Sequence, residues 1–218
     1  MGLHEKEDRV WLNVSYGALR MKTKKEDPKA KERKDKEGNI VFERVYEYVE
    51  GILDRVTFME DPKFGNSWTM FIRDGLEVYG VKLSENSQYG RSFLEKFPNL
   101  FKGGLYQIRP YDFENNTGDR YVGLSIVDKR NPDGEKIQSF YHRYEGEGEA
   151  RTCTLLHNYP KYEGKWTDKD ELKIFNVRKN KFLREQGLIH LKGNFLVGEA
   201  ETPEGDPLAP AEKDDLPF

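Results

Sequence analysis

The chain has 218 residues, 36% hydrophobic and 34% charged, with a formal net charge of −3. This is enough for one well-cored domain with appendages, or two small domains, on the polar side of globular. The composition argues against a membrane protein, because no window approaches the eighteen or so unbroken apolar residues of a membrane span. The first ten residues also lack the apolar core of a signal peptide.

The charge is divided. From Glu199 to Phe218 there are seven acids and one lysine, a net of −6, which leaves +3 on residues 1–198. A mildly basic body joined to an acidic tail is the asymmetry to explain. Cys153 is alone, so no internal disulfide and no cysteine-based metal cluster can form. A lone thiol of this kind is expected as a small buried or half-buried side chain.

Val10–Lys22 mixes aromatic and β-branched residues around Gly17 and predicts a strand or hairpin arm. Lys22–Gly38 holds eight bases and five acids without an aromatic, so it predicts a mobile charged loop. Val41–Asp61 is a long β-prone run with Gly51 as the point where it can bend. Ser67–Gly75 ends in Asp-Gly, a tight-turn signal, and Leu76–Glu85 is its hairpin partner. The period then changes over Ser87–Leu100, where Phe93, Leu94 and Phe97 fall at helical spacing between a Ser87 cap and a Pro98 stop. Gly103–Phe113 and Asp119–Lys129 follow as two strands around the turn-rich Glu114–Gly118.

Three strands, a helix and two strands, with the first strand long and bent, is the order of an OB-fold, a small five-stranded barrel. The expected fold is mainly β: an OB barrel at about 40–128, an inter-strand helix, an extension over 130–197 with a further helix, and a disordered acidic tail at 199–218. In the extension, Thr167–Gly187 carries helix signals, with Thr167 as the cap and Gly187 after the stop. Lys173, Arg178, Lys179, Lys181 and Arg184 make one side of that helix basic. The tail holds four of the ten prolines and no aromatic before Phe218.

Catalytic signatures are missing. There is no phosphate loop of the G-x-x-x-x-G-K-[ST] type and no H-E-x-x-H. His4, His142, His157 and His190 have no second ligand at metal spacing, and the His157–Asn158 pair has no neighbouring carboxylate pair. The expectation is a protein that is not an enzyme and needs no metal or cofactor.

The barrel region instead interleaves rings with cations: Trp68, Phe71, Arg73, Tyr79, Lys82, Tyr89, Arg91, Tyr106, Arg109, Tyr111 and Tyr121. Single-stranded nucleic acid wants this mixture, since unstacked bases stack on aromatic rings and phosphates seek cations. Alternation puts Trp68, Met70 and Ile72 on one face of their strand and Thr69, Phe71 and Arg73 on the other. In the partner strand Tyr79, Val81 and Leu83 are expected inward, with Val78 and Lys82 outward. Between Tyr106 with Ile108 and Gln107 with Arg109 and Tyr111, alternation does not choose the buried set.

Asp214, Asp215, Leu216, Pro217 and Phe218 resemble the C-terminus of bacterial single-stranded DNA-binding proteins: an acidic tail closing on Asp-Asp, an apolar residue, Pro and Phe. Leu216 stands where the family usually has Ile. The longer body, the Lys22–Gly38 stretch and the segment from Arg130 to Val197 look like a bacteriophage version. The resemblance implies single-stranded DNA as ligand and replication, recombination or repair proteins as partners of the tail. It also implies a location in the bacterial cytoplasm of an infected host. A protein-interaction adaptor of the replication machinery and an RNA-binding OB protein are the alternatives. Assembly and body residues are not carried over from the family.

Overall fold

The computed structural model describes residues 9–34, 38–130, 133–146, 152–165 and 167–195. The expected acidic tail, with Asp214, Asp215, Leu216, Pro217 and Phe218, lies outside the described residues.

Strands β1 (Arg9–Ser15) and β2 (Ala18–Lys22) form an antiparallel hairpin. Gly17 turns the hairpin at φ +68°, and a Cβ there would stand 2.9 Å from the Asp112 amide nitrogen. Only glycine allows both the left-handed backbone and this approach. The charged stretch that follows is not loop throughout. Lys31–Lys34 form β3, the edge strand beside β4 (Ile40–Tyr46). The reason is pairing of charges across strands: Glu43 accepts from Arg33 at 2.8 Å and from Arg20 at 3.2 Å. Asp27 accepts from Thr23 Oγ1 at 2.7 Å and is paired with Arg44. Arg33 and Asp27 of the stretch expected as mobile loop are thus tied to β4, one to buried Glu43 and the other to Arg44.

The long run predicted at 41–61 divides. After β4, the strand β5 (Val49–Met59) pairs with β8 (Leu105–Glu114) through residues 49–52 and with β6 (Ser67–Asp74) through residues 52–59. The bend falls at Gly51, as the sequence suggests. Any Cβ there would meet the Arg73 carbonyl oxygen at 2.5 Å, so the chain can cross from one partner to the other only without a side chain. A bulge between Leu53 and Arg55 adds to the turn. β6 and β7 (Glu77–Ser84) form the predicted hairpin, paired from Ser67↔Ser84 to Asp74↔Glu77. Helix α1 (Gln88–Lys96) starts at Ser87, whose hydroxyl accepts from the Gly90 amide as the cap. β8 and β9 (Arg120–Asp128) close the run.

With the short β10 (Glu135–Lys136), ten of the twelve described strands make one mixed sheet in the order β10-β9-β8-β5-β6-β7-β1-β2-β4-β3. The expected five-stranded barrel is not closed. β7 gives its second edge to β1, in parallel, with Trp11 opposite Gly80. The edge of β9 that would receive β7 is taken by β10 at residues 127–128 and met by α1 at Leu124. Ser92 Oγ accepts from the Leu124 amide at 3.0 Å.

The core lies between the inner face of this curled sheet and the helices. Trp68, Met70, Ile72, Leu53, Val81, Phe93, Phe97, Leu124 and Ile126 are all buried there, each contributing about 1.5–3 kcal/mol as a fully buried apolar side chain. Helix α2 (Lys169–Asn194) packs on α1 through Leu183, Gly187 and Leu191. Its cap is Asp168 and not Thr167, and Gly187 does not end it. That glycine sits mid-helix because Leu94 and Trp68 pack where its side chain would be, at 2.9 and 3.1 Å. β11 (His142–Glu145) and β12 (Thr152–Leu155) form a separate two-stranded hairpin. Cys153 lies on it and is exposed, not buried as expected, because both strands of this hairpin are largely open to solvent. Among the described residues no helix is long and apolar enough to cross a membrane.

Candidate nucleic-acid interface

The outer face of the sheet is built in cross-strand rows. Residues paired across neighbouring strands share a face, so the register gives the rows directly. One row runs Arg55, Phe71, Gly80, Trp11 across β5, β6, β7 and β1. Its neighbours are Ile52, Arg73, Val78, Arg9 on one side and Thr57, Thr69, Lys82, Asn13, Arg20 on the other.

The first row carries the chemistry. Gly80 leaves the sheet bare, and the Trp11 indole lies over it: a Cβ at position 80 would be 2.9 Å from the ring. Trp11 also meets Phe71 edge to face, with centroids 5.9 Å apart. Phe71 is on the outer side, as alternation predicts, but it is only 4% exposed. The Arg55 guanidinium sits 4.3 Å above its ring and that of Arg9 5.5 Å away. The Phe71 ring is thus a floor that holds two cations by their attraction to its π-face. Trp11, at 49% exposure, is the ring offered to solvent. Neither Arg55 nor Lys82 has a carboxylate within ion-pair distance among the described residues, whereas Arg73 reaches Asp54 at 3.5 Å.

The other expected binding residues separate into groups. Trp68 and Tyr106 are fully inside, at 0% and 1% exposure, and present no face to a ligand. Trp68 packs on Phe58, Phe93 and Phe97, and the Tyr106 hydroxyl accepts from the Phe101 amide. Tyr106 with Ile108 is therefore the buried set of β8. Tyr89 is also buried, and its hydroxyl accepts from the Gly17 amide at 2.8 Å, which pins the β1–β2 turn to α1. Arg91 donates to Asn176 on α2 at 3.4 Å. These four residues hold the fold together. Tyr79 is half-buried and its hydroxyl is held by Glu77, which pushes its pKa up to about 12. Arg109 is exposed, paired with Glu47 at 3.1 Å beside the Tyr48 ring. Lys82 and Arg73 stand in the rows described above.

Tyr111 and Tyr121 belong to a second aromatic group at the β8–β9 hairpin. Phe113 and Tyr121 stack at 5.4 Å, both about half exposed, and Tyr111 lies beside Phe113 at 5.9 Å. Tyr16, 67% exposed in the β1–β2 turn with Arg20 over its ring, leads toward this group, because Gly17 next to it touches Asp112. From Trp11 to Tyr16 the chain runs about 17 Å at strand rise. Trp11, Arg55, Tyr16 and Phe113 were not among the expected binding residues. Alternation within Val10–Ser15 does put Trp11 opposite Val10 and Leu12, but nothing local says that Gly80 lies beneath it.

The basic side expected for α2 is largely neutralised. Arg184 pairs with Glu85 at 3.5 Å, Lys181 with Glu185 at 3.9 Å and Lys173 with Asp170 at 3.5 Å, while Lys179 is turned inward to Glu95 at 4.0 Å. Among the described residues no three His, Cys, Asp or Glu side chains converge as metal ligands would. No protein-family model matches the chain, and neither a curated protein nor a solved structure matches it.

Proposed function

We propose that the chain is a single-stranded DNA-binding protein that takes the strand on the outer face of β5-β6-β7-β1. The observation that carries this reading is the row Arg55–Phe71–Gly80–Trp11, a half-exposed indole set edge to face against a Phe71 ring that carries two guanidiniums. An unstacked base gains about 1–3 kcal/mol on such a ring, and adjacent cations meet its phosphates without reading sequence. A duplex keeps its bases stacked and gains only the phosphate contacts.

The core of β5, β6, β7, α1, β8 and β9 is read as an OB-type barrel opened at its closing edge, where β1 and Ser92 stand in for the missing pairing. The acidic segment 199–218 is assigned to recruitment of replication, recombination or repair partners through Asp214–Phe218, on its resemblance to bacterial single-stranded DNA-binding tails. In this reading the protein works without catalysis, coating DNA in the cytoplasm of a bacterial or phage-infected cell. A docking adaptor is the second reading, supported by Ile174, Val177 and Ile189, which are 64–69% exposed on α2.

The test is a titration of fluorescent oligo-dT, matched oligo-U and duplex at two salt concentrations, with the full chain and with Trp11→Ala. The expected result is preference for oligo-dT, a log–log salt slope of about −0.7 per phosphate contact, and a loss of about 1–3 kcal/mol in Trp11→Ala. Equal affinity for duplex, or none for any nucleic acid, would favour the adaptor. Preference for oligo-U would move the ligand to RNA.

A further inference from the structure

A second concavity of about 1000 Å³ lies away from the sheet face, between α1 and residues 136–146, with His157 on its lining. Its described lining carries three cations, Lys96, Lys136 and Arg143, against one carboxylate, Glu95. That carboxylate is already engaged, accepting from the Tyr159 hydroxyl at 2.8 Å and facing Lys179 at 4.0 Å.

Lys96 is the informative group. Its ammonium donates to the Ser92 carbonyl at 3.2 Å and to Ser92 Oγ at 2.9 Å, which uses two of its three N–H bonds. No carboxylate stands within ion-pair distance of it, of Lys136 or of Arg143 among the described residues. Burial pushes the Lys96 pKa down, Glu95 pulls it part of the way back, and the nearby Lys136 pushes it down again. A shielded cation beside a second cation is an unfavourable arrangement that a bound anion relieves.

The lip adds a stacking surface. His157 and Asn158 both adopt left-handed backbone, at φ +53° and +57°. Among residues other than glycine, His and Asn are two that take this conformation most readily. Its effect here is to lay the exposed His157 imidazole flat on Phe140, with centroids 3.9 Å apart and planes at 11°.

We propose that this cleft is a nucleotide site separate from the sheet face: Lys96, Lys136 and Arg143 hold a phosphate, and the attached base stacks on His157 backed by Phe140. The proposal does not rest on single-stranded DNA binding by the sheet. The phosphate comes either from a free nucleotide or from a strand end.

The test uses the full chain and calorimetric titration of dTMP, thymidine and inorganic phosphate. It adds the surface variant Lys136→Glu/Arg143→Glu, the interior variant Lys96→Met, and Trp11→Ala. The expected result is that dTMP binds, thymidine binds at least about tenfold more weakly, and inorganic phosphate competes. The charge-reversed variant, folded by circular dichroism, loses dTMP by about tenfold or more, while Trp11→Ala keeps it. Displacement of dTMP by 5′-phosphorylated but not 5′-hydroxyl oligo-dT identifies the strand end as the source, and displacement by neither identifies the free nucleotide. No heat with dTMP up to about 10 mM, or dTMP binding unchanged in the charge-reversed variant, overturns the proposal.

Discussion

Ser92 and Leu124 are joined twice: the Leu124 amide donates to Ser92 Oγ at 3.0 Å, and the hydroxyl donates to the Leu124 carbonyl at 3.4 Å. One side chain thereby supplies what a neighbouring strand would have given β9 at Leu124, beyond the reach of β10. Lys96 completes the hydroxyl's second acceptor position at 2.9 Å. A helix residue replaces a missing ladder partner, and the Leu124 amide of the open sheet is not orphaned.

Ser92→Ala should therefore cost more than an ordinary hydroxyl deletion. Both the Leu124 amide and one Lys96 donor lose their partner in a buried place, worth about 1–3 kcal/mol. Urea denaturation measures this as a lower midpoint with an unchanged m-value. A change below about 0.5 kcal/mol would mean that water enters and satisfies the edge.

Gly80→Ala tests the seat of the indole. The new methyl would be 2.9 Å from Trp11 Cε3 and Cζ3, so the ring must leave its place over β7. Trp11 emission should shift to the red and oligo-dT affinity should fall toward that of Trp11→Ala. Because the displaced ring is already half exposed, folding stability should move by no more than about 1 kcal/mol.

Gly187→Leu tests the seating of α2. Leu94 and Trp68 occupy the space the side chain needs, at 2.9 and 3.1 Å, and overpacking of this kind costs about 1–3 kcal/mol or more. The midpoint of unfolding should drop, and the emission of buried Trp68 should change with it.

Glu43 gives the acid limb of stability a definite sign. The Arg33 hydrogen bond, opposed by burial and helped by Arg20, holds its carboxyl below the ordinary value of 4.5. A depressed folded pKa contributes stability that is fully present above the unfolded value and is lost as pH falls through the folded one. Asp27, lowered chiefly by its hydrogen bond to Arg44, acts with the same sign. Urea midpoints measured from pH 7 down to pH 3 should fall below about pH 4.5. Glu43→Gln should flatten part of that fall and lower stability at neutral pH by about 1–3 kcal/mol.

Several elements were legible because they are announced locally. The Asp74–Gly75 turn, the Ser87 cap, the bend at Gly51 and the alternation through Trp68, Met70 and Ile72 all follow from neighbours in sequence. What escaped depends on pairing at a distance. The parallel match of β1 to β7 is not encoded within either strand, so Trp11 could not be placed on Gly80. The acids that order the Lys22–Gly38 stretch lie partly on β4, so charge alone read as linker. Composition counted Trp68 and Tyr106 among the rings available for stacking, while alternation already pointed Trp68 inward.

Trp11 rides on a strand attached along one edge to β7 and along the other to β2. Leu12 and Leu19 of that hairpin are buried in the common core, and the Tyr89 hydroxyl accepts from the Gly17 amide. The most exposed ring of that face thus belongs to a hairpin anchored by β7, by β4 and, through Tyr89, by α1. Under the proposed function, loss of the β1–β7 seating would take the indole from the face together with the core contacts of Leu12, so grip and folding would fail together.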